Sequence, residues 1–204
     1  MKKCLIITGG EFDAVDTNKY DYIIACDKGY DHAIKLGITP NAVIGDLDSY
    51  TGRIDSDLNL VKLPVEKDDT DTMYAVRYAF KHDYRDITIC CAFGGRLDHS
   101  YANIQTAAYV INHGGSVHLL GKDTQMYMIK NNNITIHSVK DSYISVFSYS
   151  DKCTGVTLRG MKYCLYEAEL TNSFPLGISN EWNDESAMIE VKNGTLCIMI
   201  SLKS

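Results

Sequence analysis

The chain has 204 residues, 45% of them hydrophobic and 23% charged, with a formal net charge of -6 at pH 7. That is an ordinary globular composition, long enough for one large domain or two small ones. The acidic balance argues against a general nucleic-acid or anionic-membrane surface, and no apolar stretch is long enough to span a bilayer.

The opening, "MKKCLIITGG", breaks at Thr8-Gly9-Gly10 after a short apolar run and reads as a first β-strand rather than a signal peptide. "YIIACDKG" is a second short buried strand, and "YDHAIKLG" a short helix closed by Gly37. "AVIGDLDS" is a strand that ends on acids, and "LVKLPVEKDD" leads into the helix "TDTMYAVRYAFKHDY". There Met73, Val76, Ala79 and Phe80 fall at helical spacing and predict one apolar face. "DITICCAFGG" is a strand, followed by a helix with Ile104, Ala107, Ala108 and Ile111 in register, then the strand "SVHLLG". Alternating strands and helices in this order predict an α/β fold, a largely parallel sheet with helices on both faces.

Around residue 130 the pattern changes to short alternating strands with no helix between them. The expected division is an α/β domain over 1–130 and an all-β sandwich domain over 131–204. Asn131-Asn132-Asn133 reads as a hinge or hairpin turn, and Asn193-Gly194 as a type I′ hairpin joining the last two strands.

Seven cysteines, an odd number without any Cys-x-x-Cys, lie mostly inside apolar runs such as "ITICCAF". They read as structural thiols in a reducing cytoplasm rather than as disulfides or a zinc site.

Chemistry gathers where strands end. Asp46 and Asp48 follow the strand "AVIG" with only Leu47 between them, so continued strand geometry would point both to one side. Two close like charges call for a cation between them, and a hard cation with oxygen ligands fits; the competing reading is a turn in which Asp and Ser cap backbone groups. Gly9-Gly10, Asp27 and the segment Gly94 to His99 end other strands in the same way, and the "KDDTD" run of Lys67 to Asp71 stands at the start of a helix. Capping a helix N-terminus explains one or two of Asp68, Asp69 and Asp71 but not the whole rim. Mg²⁺ with a phosphate chain would explain it, since magnesium takes one or two carboxylates plus phosphates and water. Arg96 follows two glycines and offers a planar fork for phosphate oxygens, with His99 close behind. Neither a P-loop nor a dinucleotide fingerprint is present.

"ACDKGYDHAIKLGITPNAVIGDLDS", "KDDTDTMYAV" and "GGRLDHSYANI", in this order, resemble the thiamine pyrophosphokinase (thiamine diphosphokinase) family, and "GISNEW" resembles its C-terminal vitamin-binding segment. The resemblance implies an α/β catalytic domain followed by a β-sandwich, a homodimer with active sites shared between subunits, and Mg²⁺-dependent transfer of the pyrophosphoryl group of ATP to thiamine with AMP as product. Carried onto this sequence, it places Asp46, Asp48 and Asp71 around the metal and phosphates, with Asp27 and Asp68 close by. Gly95, Arg96, Asp98 and His99 fall on the nucleotide side. Ser179 and Asn180 would meet thiamine, and Trp182 either stacks on the vitamin or belongs to the sandwich core. The base that takes the hydroxyl proton is Asp71 or Asp98.

Three other readings compete. "DLDS" is similar to the nucleophile loop of haloacid-type phosphatases, but matching lysine and later acidic motifs are missing. A sensor that kept the pocket without turnover and the same chemistry on another alcohol complete the set.

Overall fold

The computed structural model describes residues 1–45, 59–62 and 69–203 and divides the chain into two compact units, Met1–Lys122 and Asp123–Ser204.

In the first unit the described strands are β1 (Lys3–Ile7), β2 (Tyr22–Cys26), β3 (Ala42–Gly45), β4 (Leu60–Lys62), β5 (Asp86–Cys90) and β6 (Ser116–Gly121). The helices are α1 (Gly29–Lys35), α2 (Asp71–Lys81) and α3 (Leu97–Asn112). The strands lie in the order β6-β5-β1-β2-β3-β4, and every neighbouring pair is parallel. From β1 the chain winds outward through β2, β3 and β4, then returns so that β5 pairs with the other side of β1. Right-handed crossovers then put α1 on one face and α2 with α3 on the other. The strands read as unbroken apolar runs because both faces are covered. Leu5 and Ile7 pack with Tyr30 and Ala33 of α1 on one side. Winding reverses between β1 and β5, where such sheets open a crevice at their carboxyl ends.

Both long helices bury a face slightly rotated from the expected one. In α2 the buried residues are Thr72, Ala75, Val76, Ala79 and Phe80, while Met73 is only half-buried. In α3 they are Asn103, Thr106, Ala107, Ala108 and Val110, with Ile104 and Ile111 half-buried. Asn103 and Thr106 tolerate burial because each is hydrogen-bonded: Asn103 Nδ2 donates to Ala92 O at 2.8 Å, Thr106 Oγ1 to Ala102 O at 2.9 Å.

The second unit is a sandwich. One face comprises β12 (Gly177–Asn180), β9 (Ser142–Ser148), β14 (Thr195–Leu202) and β7 (Thr124–Lys130); the other comprises β11 (Leu165–Thr171), β10 (Lys152–Arg159), β13 (Ser186–Glu190) and β8 (Asn133–His137), both in that order. Alternate residues point inward, as Ile144 and Val146 do in β9, and meet Val156, Leu158 and Ile189 from the opposite sheet. The sequence change expected at 130/131 and the structural division at 122/123 differ by one strand, β7, which pairs antiparallel with β14 along its whole length.

Asn193-Gly194 does not make a hairpin. β13 pairs with β8 and β10, whereas β14 pairs with β7 and β9, so the dipeptide carries the chain from one sheet to the other. A type I′ turn needs positive φ at both residues, and Asn193 is absent from the positive-φ set that contains Gly194. The tract 131–133 crosses between the same sheets. Asn131 Oδ1 accepts from Gly194 N at 2.8 Å and lashes the two crossings together.

Candidate active site

A cavity of about 520 Å³ opens in the first unit at the carboxyl ends of β1, β2 and β5, where the winding reverses. Its wall takes Thr8, Gly9 and Gly10 after β1, Cys26, Asp27 and Lys28 at the end of β2, and Thr70, Asp71 and Thr72 at the start of α2. Gly94, Gly95 and Arg96 follow β5, and His99 and Asn103 come from the first turns of α3.

Backbone geometry sets each of these in place. Asp27 leaves β2 in the left-handed region at φ 44, a conformation aspartate tolerates better than most residues. Its N–H donates to Ile44 O at 3.1 Å, and its carbonyl accepts from Tyr30 N at 2.9 Å. Its carboxylate lies across Gly45 so closely that a Cβ there would collide with Oδ1. Asp71 opens α2, whose N-cap is Thr70: the Thr70 hydroxyl accepts from Met73 N at 3.2 Å. Asp69 is held by Arg77, which gives it a structural partner.

The loops after β1 and β5 are stitched together. Thr8 Oγ1 donates to Cys90 O at 3.0 Å and to Cys91 O at 2.7 Å. Gly10 N donates to Cys91 O, and Glu11 N to Phe93 O. Under these bonds Cys91 takes φ 53, which a non-glycine residue adopts only where its surroundings hold it. His32, buried in α1, fixes Thr8 in turn through Nδ1 to Thr8 O at 3.0 Å. Asn103 ties Ala92 from the other side. The pinned loop then turns through Gly94 and Gly95, at φ 90 and 70, and delivers Arg96 to the cavity.

Arg96 and Asp98 form a two-point pair, Nε to Oδ1 at 3.1 Å and Nη2 to Oδ2 at 2.5 Å. Asp98 Oδ1 also accepts from His99 N at 3.0 Å. The Arg96 hydrogen bond holds the Asp98 carboxyl below the usual carboxylate range and raises the guanidinium pKa in return. Asp98 itself is not on the cavity wall, whereas Asp27, Asp71, Gly95, Arg96 and His99 are. Asp46, Asp48 and Asp68 lie outside the described residues.

The three remaining candidates sit in the second unit. Ser179 is exposed at φ 52, and its N–H donates to Ser145 Oγ. Asn180 is buried. Its Oδ1 accepts from Tyr163 N and Glu181 N, and its Nδ2 donates to Tyr163 O at 2.8 Å. That amide acts on Tyr163 as a paired strand would, so what Asn180 contributes runs through the position of its neighbours. Trp182 packs against the sandwich core and donates from Nε1 to Ser142 Oγ at 2.9 Å, which favours the core role left open by the sequence.

A family model described as "Thiamin pyrophosphokinase, catalytic domain" matches residues 16–119, and one described as "Thiamin pyrophosphokinase, vitamin B1 binding domain" matches residues 131–196. The chain belongs to the thiamin pyrophosphokinase family. It is 28% identical over 212 residues to the thiamine pyrophosphokinase of Bacillus subtilis (strain 168), covering 98% of this chain and 99% of the relative. The crystal structure of thiamine pyrophosphokinase from Bacillus subtilis superposes with a TM-score of 0.90 at 26% identity, covering 100% of both chains. The yeast thiamin pyrophosphokinase structure shares the fold at a TM-score of 0.76 and 12% identity, covering 98% of this chain and 86% of that one.

Lys28, Thr8 and Asn103 are among the wall residues that a reading of the sequence for site chemistry passes over. Lys28 follows Asp27 directly, and adjacency was its only signal. Thr8 is the lone polar residue ending an apolar strand. Asn103 lies beside the expected apolar face of α3, on the side that the fold buries.

Proposed function

We propose that this chain transfers the pyrophosphoryl group of ATP to the hydroxyethyl oxygen of thiamine, with Mg²⁺, giving thiamine diphosphate and AMP. The observation that carries the reading is the cavity of the catalytic unit, which gathers Asp27, Asp71, Gly95, Arg96 and His99 at the switch point of a parallel sheet.

Magnesium usually takes one or two protein carboxylates and completes its shell with phosphate oxygens and water. Asp71 and Asp27 on the wall are donors of that kind. In this reading Asp46, Asp48 and Asp71 hold the ion, with Asp27 and Asp68 nearby. An ion held there would withdraw charge from the phosphate chain. The glycine turn brings backbone close to the phosphates, and Arg96 and His99 supply donors, so the site works by positioning and charge neutralisation.

The thiamine hydroxyl oxygen attacks the β-phosphorus. The bond from that phosphorus to the oxygen bridging the α-phosphate breaks, and its electron pair leaves with AMP. The hydroxyl proton passes to a carboxylate. Of the two candidates, Asp71 lines the cavity and Asp98 does not, so Asp71 would take the proton through the carboxylate oxygen not committed to the ion.

Ser179 and the loop that Asn180 fixes would hold thiamine, in a homodimer whose sites draw on both subunits. Support for assembly comes from side chains of the second unit that a monomer would leave in water: Tyr163, Tyr166, Phe174, Leu176 and Ile178 are each more than half exposed. A cytoplasmic setting accords with cysteines of which none forms a disulfide among the described residues, six of them buried. Among the described residues no helix is long and apolar enough to cross a membrane.

A single assay tests the reading: ATP, Mg²⁺ and thiamine, followed by product analysis. AMP with thiamine diphosphate supports it. ADP would indicate an ordinary kinase, free phosphate a hydrolase, and no turnover a sensor.

A further inference from the structure

Charge accounting on the cavity wall singles out one side chain. The wall carries two permanent cations, Arg96 and Lys28, beside the acids Asp27 and Asp71. The Arg96 charge is already matched by Asp98 through two hydrogen bonds. Lys28 is exposed and makes no ion pair or side-chain hydrogen bond among the described residues. Several other cations of the first unit are engaged, Lys122 on Glu11, Arg77 on Asp69, Lys35 over Phe12 and Arg85 over Phe80, and of the described cations without such a partner Lys28 is the one on the cavity wall.

Lys28 is nonetheless held at its root. Asp27 turns the chain in the left-handed region just before it, and Lys28 O accepts from Asp31 N at 3.1 Å. Its stem crosses Gly9: a Cβ on Gly9 would lie 3.0 Å from Lys28 Cβ and 3.7 Å from Cγ and Cδ. The glycine gives the stem room, and Lys28 lines the cavity with a compact charge on a flexible chain.

We propose that Lys28 contacts the phosphate chain of the nucleotide and supplies the positive charge that Arg96, paired with Asp98, does not. The proposal rests on the reading of this cavity as the ATP site. A triphosphate brings several negative charges to a wall that already holds two carboxylates, so an uncompensated cation there has an evident use.

The test is ATP binding by calorimetry with Mg²⁺ present, on the wild-type protein, Lys28→Met and Lys28→Arg. Lys28→Met keeps an unbranched stem over Gly9 and removes only the charge. Loss of one charge-assisted contact weakens ATP binding roughly ten- to hundredfold, flattens its salt dependence, and leaves the KM for thiamine unchanged. Lys28→Arg restores most of the affinity. Because the side chain is exposed, an unaltered melting temperature accompanies the loss. Wild-type ATP affinity in Lys28→Met overturns the proposal. So does a loss that Lys28→Arg does not repair, since the stem would then matter and the charge would not. If the wild-type protein itself binds no ATP, the nucleotide reading of the cavity falls and the role of Lys28 falls with it.

Discussion

Arg96 and Asp98 face each other across one intervening residue at the start of α3, joined by two hydrogen bonds while 73% and 63% of their side chains remain exposed. The arrangement bears on which acid takes the proton from thiamine. A carboxylate whose pKa is held down by a guanidinium is ionised but is a weak proton acceptor. Asp98→Asn should therefore keep turnover within about tenfold while changing the KM for ATP, because Arg96 loses its anchor. Asp71→Asn should lower kcat by roughly a hundredfold or more, the usual scale for a general base. The reverse pattern would make Asp98 the base. The pH sign follows: the folded pKa of Asp98 lies below its unfolded value, so the pair is intact above the ordinary carboxylate range and is lost as pH falls through the depressed value. The KM for ATP should hold steady through neutral pH and rise only at the acid end.

Asp46→Asn and Asp48→Asn should each cut turnover by roughly two orders of magnitude or more, on the scale of losing an essential electrostatic group. Asn serves as well as Asp in a turn, so the turn reading expects little change in rate or melting temperature. Initial rates at saturating Mg²⁺, measured beside thermal stability, separate the two. Near-normal rates in both variants would end the metal reading.

Thr8 offers a test of the stitching between β1 and β5. Thr8→Val keeps the shape and removes the hydroxyl that caps Cys90 O and Cys91 O, at a cost of about 1–3 kcal/mol. With that bond gone, the strained Cys91 turn and the glycines beyond it lose their hold, so ATP affinity should fall more than thiamine affinity. Thr8→Ser, which retains the donor, should behave nearly as wild type. A Thr8→Val protein that is less stable but binds ATP normally would show the bond to be structural only.

The contrast between Asp27 and Thr8 shows what the sequence carries openly. Asp27, Asp71 and Arg96 were legible because each ends a strand or opens a helix, and ligands collect at the carboxyl edge of a parallel sheet. Thr8 was not, because its importance depends on a carbonyl 83 residues away. Asn193-Gly194 fails for the same reason. The dipeptide is a strong local signal, yet the strands it joins find their partners in opposite sheets. The expected boundary falls after β7 because nothing in its own residues says that β14 will pair with it.

Asn180→Ala should destabilise the second unit by about 2–3 kcal/mol, because it strips a buried amide from Tyr163 and Glu181 and leaves their backbone groups unsatisfied. Denaturant titration gives the value. Unchanged stability with lost thiamine binding would turn Asn180 back into a direct ligand.

A shared site makes the sharpest demand on the assembly, and Ser179 is the better probe of it than Asn180. Ser179 is exposed and sits at φ 52, a conformation Asn accepts readily, so Ser179→Asn adds bulk at the vitamin side without straining the turn. If thiamine is held by Ser179 of one subunit while Asp48 of the other serves catalysis, the Asp48→Asn and Ser179→Asn homodimers should both be nearly inactive. In a mixed dimer one site collects both lesions and the other collects neither. Random re-association of equal amounts makes about half of the dimers mixed, each with one of its two sites intact, so the mixture should recover about a quarter of wild-type activity. Co-expression with two different tags isolates the mixed species, and rates are then read per dimer. Activity no greater than the sum of the parents in a well-exchanged mixture would mean that each site is built within one chain.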